Sequence, residues 1–153
     1  MDYTFVSEEE FLRMAENGEF AEWAEVHGHL YGTSKKRLEE LREAAMDVIL
    51  DIDTQGAKKI RAHYDDGVYI FILPPSMDAL RERLEKRTSN SPEEIDLRMK
   101  RASEEIRDYK SYDYVIVNND FNEALTELKA IVLAEDKRTN KIDPQWSKET
   151  FKI

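Results

Sequence analysis

The sequence predicts an α/β fold: a parallel sheet with flanking helices, joined to a small antiparallel β region. Two observations predict it. Residues 48–53, 68–73 and 114–119 are β-branched apolar runs separated by helical segments, the layout of βα units around a parallel sheet. Before residue 34 the pattern is different, with alternating aromatic and polar residues broken by glycine, as in a short hairpin.

Each element has its own local signals. Ser7 with Glu10 is spaced as a capping box, Val6 with Phe11 as a hydrophobic staple, and Gly18 stands where that first helix should end. Residues 20–28 and 30–34 read as two antiparallel strands with a turn near Gly28. Residues 35–45 form a charged amphipathic helix capped by Thr33 or Ser34. Val48-Ile49-Leu50-Asp51-Ile52-Asp53 predicts a buried parallel strand whose carboxyl end reaches a site. Asp51 and Asp53, two residues apart on such a strand, would share a face. A helix over 55–64 and a second buried strand over 68–73 follow. Ser76 caps the next helix, and Ser91-Pro92 with Glu94 starts another. Residues 114–119 are the third strand, and Asp120 caps a helix running to about residue 137. Residues 138–153 contain Pro144, lack periodicity, and read as a surface tail.

Composition excludes several classes. The 153 residues carry a formal net charge of −10, which argues against sequence-independent binding to nucleic acid. There is no cysteine, hence no disulfide or thiolate metal site, and His27, His29 and His63 are too scattered for zinc. No apolar run is long enough for a membrane span and no secretion signal opens the chain, so the expectation is a cytoplasmic protein with no membrane partner. A few local arginines still permit a small anionic ligand in one cleft. The mixture of styles suggests a nucleotide-handling fold with an inserted substrate-recognition region.

Specific residues then carry a resemblance. Asp2-Tyr3-x-Phe5-Val6-Ser7, Phe20-x-Glu22-Trp23-Ala24-Glu25-Val26-His27-Gly28, Tyr31-Gly32-Thr33-Ser34 and Ile49-Leu50-Asp51-Ile52-Asp53-x-Gln55-Gly56-Ala57 resemble guanylate kinases block after block. Phe71-Ile72-Leu73-Pro74-Pro75-Ser76, the helix with Leu80, Arg83, Leu84 and Arg87, and Val115-Ile116-Val117-Asn118 continue the match to about Glu135. The resemblance implies a P-loop kinase-like sheet and ATP-dependent phosphorylation of GMP to GDP with Mg2+. It also implies a GMP-binding β region over 1–34, an α/β core over 35–137 with a lid at about 84–100, and a tail over 138–153, effectively one domain.

By the same resemblance Glu22 accepts from the guanine ring donors, and Thr33 and Asp53 are the other base contacts. Tyr3 and Tyr31 donate hydroxyls to the GMP phosphate. Arg83, Arg87 and Arg98 match the arginines brought over the transferring phosphates, where catalysis rests on positioning and charge neutralisation. Asn118 resembles a position at the adenine side, and Asp51 lies in the metal or phosphate vicinity, with no direct protein ligand to the metal assigned.

The sequence departs from the family in one large respect. No Gly-x-x-x-x-Gly-Lys-Ser occurs, and glycines 18, 28, 32, 56 and 67 all lie elsewhere, so the ATP site is expected to be incomplete and the chain alone inactive. The first P-loop strand is expected to be absent from between the strands ending at Asp53 and Leu73. The explanations are a shortened gene product, a strand supplied by a second copy in a homodimer, or a rearranged sheet. His29-Leu30 and a lid without its frequent glycine are lesser departures. The alternative function is a catalytically inactive module that binds GMP, a protein or a phosphopeptide; a decayed fragment is the third. Taken singly, Tyr3, Tyr31 and Glu22 read better as ordinary strand residues, and the arginines as a solvated face pairing with Glu82, Glu85 and Glu94. Asp51 and Asp53 are harder to dismiss in an apolar run. Tyr69 and Phe71 read as core.

Overall fold

The computed structural model of the chain describes residues 4–26, 28–64, 66–86 and 91–152. Tyr3, His27 and Arg87 lie outside the described residues, as does part of the lid. The chain divides at Gly67 into two compact units, residues 1–67 and 68–153.

The first unit is built on a hairpin. Ser7 accepts from the Glu10 amide at 3.2 Å and starts α1 (Glu8–Glu16), which ends at Asn17 with Gly18 at φ +68°. That left-handed conformation is one glycine adopts without steric penalty. β1 (Phe20–Val26) pairs antiparallel with β2 (His29–Ser34), and Gly28 makes the turn at φ +76°. A bulge between Phe20 and Glu22 resets the register, so Glu22 stands opposite Thr33 and Ala24 opposite Tyr31. Phe11 of α1 is buried and stacks on Phe20 at 4.4 Å, with Trp23 edge-on at 6.2 Å. A Cβ on Gly32 would lie 2.9 Å from the Phe20 ring, so this aromatic packing needs a bare α-carbon there. α2 (Lys35–Glu43) starts on the Ser34 hydroxyl, and α3 (Thr54–Arg61) packs on β1.

One predicted element of this unit is corrected. Residues 48–53 are not a strand, and Ile49 is 78% exposed. A strand is held by its ladder, and among the described residues this segment has no ladder partner, so its apolar side chains gain nothing from β pairing. Asp51 is exposed, while Asp53 is the N-cap of α3.

The second unit holds the parallel pair. β3 (Ile70–Leu73) runs beside β4 (Tyr114–Val117), with Phe71 opposite Val115. Asn118 extends the ladder by donating to the Leu73 carbonyl at 2.8 Å. The predicted strand over 68–73 is shorter than expected, because the Tyr69 backbone is taken up by Asp113 and Tyr114 instead. It is also less buried. Phe71 and Ile116 are core, Tyr69 is half-buried, and Ile72 is 50% exposed. The expected three-stranded parallel sheet is therefore two-stranded among the described residues.

Helices surround this pair in sequence. α4 (Met77–Glu85) is capped by Ser76, and α5 (Pro92–Glu105) carries the full capping box of Ser91 and Glu94. α6 (Phe121–Glu135) starts at Asp120, whose carboxylate accepts from two first-turn amides. The segment after residue 138, expected to be irregular, contains α7 (Pro144–Phe151). Asp143 caps it, and proline fits its first turn. Tyr114 donates to Glu135 at 2.5 Å, and Arg138 pairs with the other oxygen of that carboxylate at 2.9 Å. No described helix is long and apolar enough to cross a membrane.

Candidate active site

The hairpin register brings three of the anticipated residues, Glu22, Tyr31 and Thr33, near one another by simple geometry. Directly opposed residues of an antiparallel pair share a face, as do residues two apart on one strand. Glu22, Ala24, Tyr31 and Thr33 therefore lie on one face of the hairpin. Phe20, Trp23 and Gly32 turn to the face that packs against α1.

Glu22 is 7% exposed, unusual for a carboxylate, and a buried charge needs hydrogen bonds. One is evident: the Thr33 hydroxyl donates to Glu22 Oε1 at 2.6 Å. The other oxygen, Oε2, points to the first turn of α3, 3.1 Å from where a Cβ on Gly56 would stand. Asp53 Oδ1 lies 3.2 Å from the same point and accepts from the Gly56 amide at 2.7 Å. Two carboxylates thus converge on the amino end of a helix, where the backbone dipole favours negative charge. Lys59, further along α3, donates to the Trp23 carbonyl at 2.9 Å and ties the helix to β1.

Glu22, Thr33 and Asp53 are thus brought together, with Tyr31 on the same face and 48% exposed. Asp51 stands apart from the cluster's hydrogen bonds and is exposed. Sequence reasoning missed Gly56 as part of this arrangement. Its signal was available: a glycine in a helical run beside a capping aspartate usually has a packing or functional reason.

Arg83, Arg98 and Asn118 belong to the second unit. Arg83 is exposed on α4 and donates to the Asn118 carbonyl at 2.8 Å, a link not anticipated from sequence. Arg98 is half-buried on α5. The helix-face pairing expected for Arg83 is replaced by this backbone contact, while Lys86 is the residue that faces Glu82, at 3.9 Å.

Comparison with known proteins shows the family. The protein-family model described as guanylate kinase matches residues 1–135. The chain belongs to the guanylate kinase family. The guanylate kinase of Geobacter metallireducens is 53% identical over 141 residues, which is 92% of this chain and 70% of the relative. That of Symbiobacterium thermophilum is 50% identical over 91% of this chain and 66% of its own length. Among solved structures, the crystal structure of guanylate kinase from Anaplasma phagocytophilum superposes with a TM-score of 0.80. It is 39% identical and covers 99% of this chain and 76% of its own.

Guanylate kinases phosphorylate GMP with ATP and magnesium. Magnesium in phosphoryl-transfer sites takes a few carboxylates and the substrate phosphates. Among the described residues no group of three or more acids or histidines could hold a metal ion; Asp51 is exposed and Asp53 is engaged as a helix cap. The described residues thus offer no all-protein cage for magnesium, which in such sites is held largely by substrate phosphates and water.

Proposed function

We propose that this guanylate kinase-family chain carries the GMP-recognition part of an ATP-dependent GMP kinase acting in the cytoplasm. The observation that carries the reading is the buried Glu22 carboxylate, held by Thr33 and standing beside Asp53 at the start of α3. Guanine offers hydrogens at N1 and N2 where adenine does not, so a site built from acceptors distinguishes the two. Glu22 takes the ring donors, and Thr33 and Asp53 complete the base contacts. Tyr31 and Tyr3 supply hydroxyl donors to the phosphate, suited to an oxyanion.

In this reading residues 1–34 are the GMP-binding region and 35–137 the α/β core, with a lid at about 84–100 and a tail over 138–153. Arg83, Arg87 and Arg98 neutralise charge on the transferring phosphate, as positioning catalysis requires. Arg83 now spends one N–H on Asn118, and its guanidinium retains further donors for an oxyanion. Asn118 stands at the adenine side. No step is assigned through magnesium.

A crystal grown with GMP tests this directly. The purine should lie against Glu22, Thr33 and Asp53; a purine lodged elsewhere would overturn the assignment.

A second reading keeps the same pocket without phosphoryl transfer. In it the chain binds GMP, a protein or a phosphopeptide without catalysis. ADP release from ATP and GMP by this chain at background level supports it, and clear turnover removes it. β3 pairs only with β4 among the described residues, and a homodimer in which a second copy covers the open edge belongs to the same proposal. Size-exclusion chromatography giving a folded monomer would rule that out.

A further inference from the structure

Gly56 poses a conflict between local preference and what the sequence contains. It lies within α3 and is buried, and its backbone is not among the positive-φ glycines. Alanine forms helices better than glycine, so local energetics argue for a side chain here. Where a local rule is broken without local reward, a functional constraint is the place to look.

The surroundings supply the constraint. A Cβ at Gly56 would stand 3.1 Å from Glu22 Oε2, 3.2 Å from Asp53 Oδ1 and 3.4 Å from the Ile52 Cβ. The first two distances are shorter than ordinary contact, so one partner has to yield. Asp53 Oδ1 is fixed by its 2.7 Å bond to the Gly56 amide, which caps the helix. The Ile52 Cβ is next to the backbone. Glu22 is the long, rotatable side chain of the three, so its carboxylate yields by a few tenths of an ångström and its alignment with Thr33 and Asp53 changes.

We infer that Gly56 is a specificity-determining positioning residue: its missing side chain lets the Glu22 carboxylate stand beside Asp53 where it reads the guanine 2-amino group. This inference rests on the GMP reading of the same site. Gly56 touches no substrate atom in this account. It acts through Glu22.

The test is Gly56→Ala, measured by calorimetry on the full chain with GMP and with IMP, which lacks the 2-amino group, alongside thermal melting. GMP binding should weaken roughly tenfold in the variant and the GMP-over-IMP ratio should fall with it, while melting shows that the protein stays folded. A merely structural role would affect both nucleotides alike. If the wild type prefers GMP and Gly56→Ala keeps both affinity and ratio, the role of Gly56 is refuted while the site stands. If the wild type itself shows no preference for GMP over IMP, Glu22 is not reading the 2-amino group and both fall. The Glu22 carboxyl carbon resonance gives a ligand-free check: it should move in Gly56→Ala, and an unmoved resonance counts against displacement.

Discussion

Thr33 donates its hydroxyl to Glu22 Oε1 at 2.6 Å, straight across the hairpin from the opposed strand. The bulge at Ala21 makes this pairing, since without the extra residue Glu22 would not stand opposite Thr33. A one-residue change of register would move Glu22 to the aromatic face, away from Thr33.

Thr33→Val keeps the shape of the side chain and removes the donor. A buried carboxylate left short of a partner costs about 1–3 kcal/mol, so the unfolding free energy should fall by that amount. Chemical denaturation checks it, and GMP affinity should weaken in the same variant. Thr33→Ser keeps the hydroxyl and should restore both.

Much of the fold was legible because its signals are local. The Ser7, Ser76, Ser91 and Asp120 caps, the Gly28 turn and the register-bearing hairpin all follow from a few neighbouring residues. The strand over 48–53 was misread because an apolar β-branched run shows what a segment would do with a neighbour, and the neighbour is not in the run. α7 was missed for the opposite reason: Asp143-Pro144 is itself a helix start, but its eight residues are too few to show a period. At the site, Glu22, Thr33 and Asp53 were named through resemblance, whereas the space at Gly56 and the Arg83–Asn118 bond are three-dimensional and leave no spacing to read.

A separate anchor lies in the second unit, where Tyr114, Glu135 and Arg138 are linked through the nearly buried Glu135 carboxylate. Tyr114→Phe leaves one carboxylate oxygen without its hydroxyl donor and should destabilise by about 1–3 kcal/mol. Arg138→Ala removes a partner that is largely exposed and should lower stability less, by about 1 kcal/mol or below. Equal losses in urea denaturation would contradict this ordering.

Tyr64 gives an alkaline pH dependence. Burial, followed by its hydrogen bond to Glu39 and the charge of Glu39, holds its phenol pKa above the ordinary 10.0. The folded protein therefore binds this proton more tightly than the unfolded chain does. Its contribution is complete below the unfolded pKa and is lost as pH rises through the folded one. Melting temperatures should fall more steeply above about pH 10 in the wild type than in Tyr64→Phe. Parallel curves for the two proteins would contradict the assignment.

The most direct measurement is titration calorimetry of this chain with GMP and AMP, repeated on Glu22→Gln. An acceptor-lined purine pocket should take GMP in clear preference to AMP, and replacing one carboxylate oxygen by an amide should abolish most of that preference while the protein stays folded. Equal affinity for the two nucleotides, or an unchanged preference in Glu22→Gln, would contradict the account.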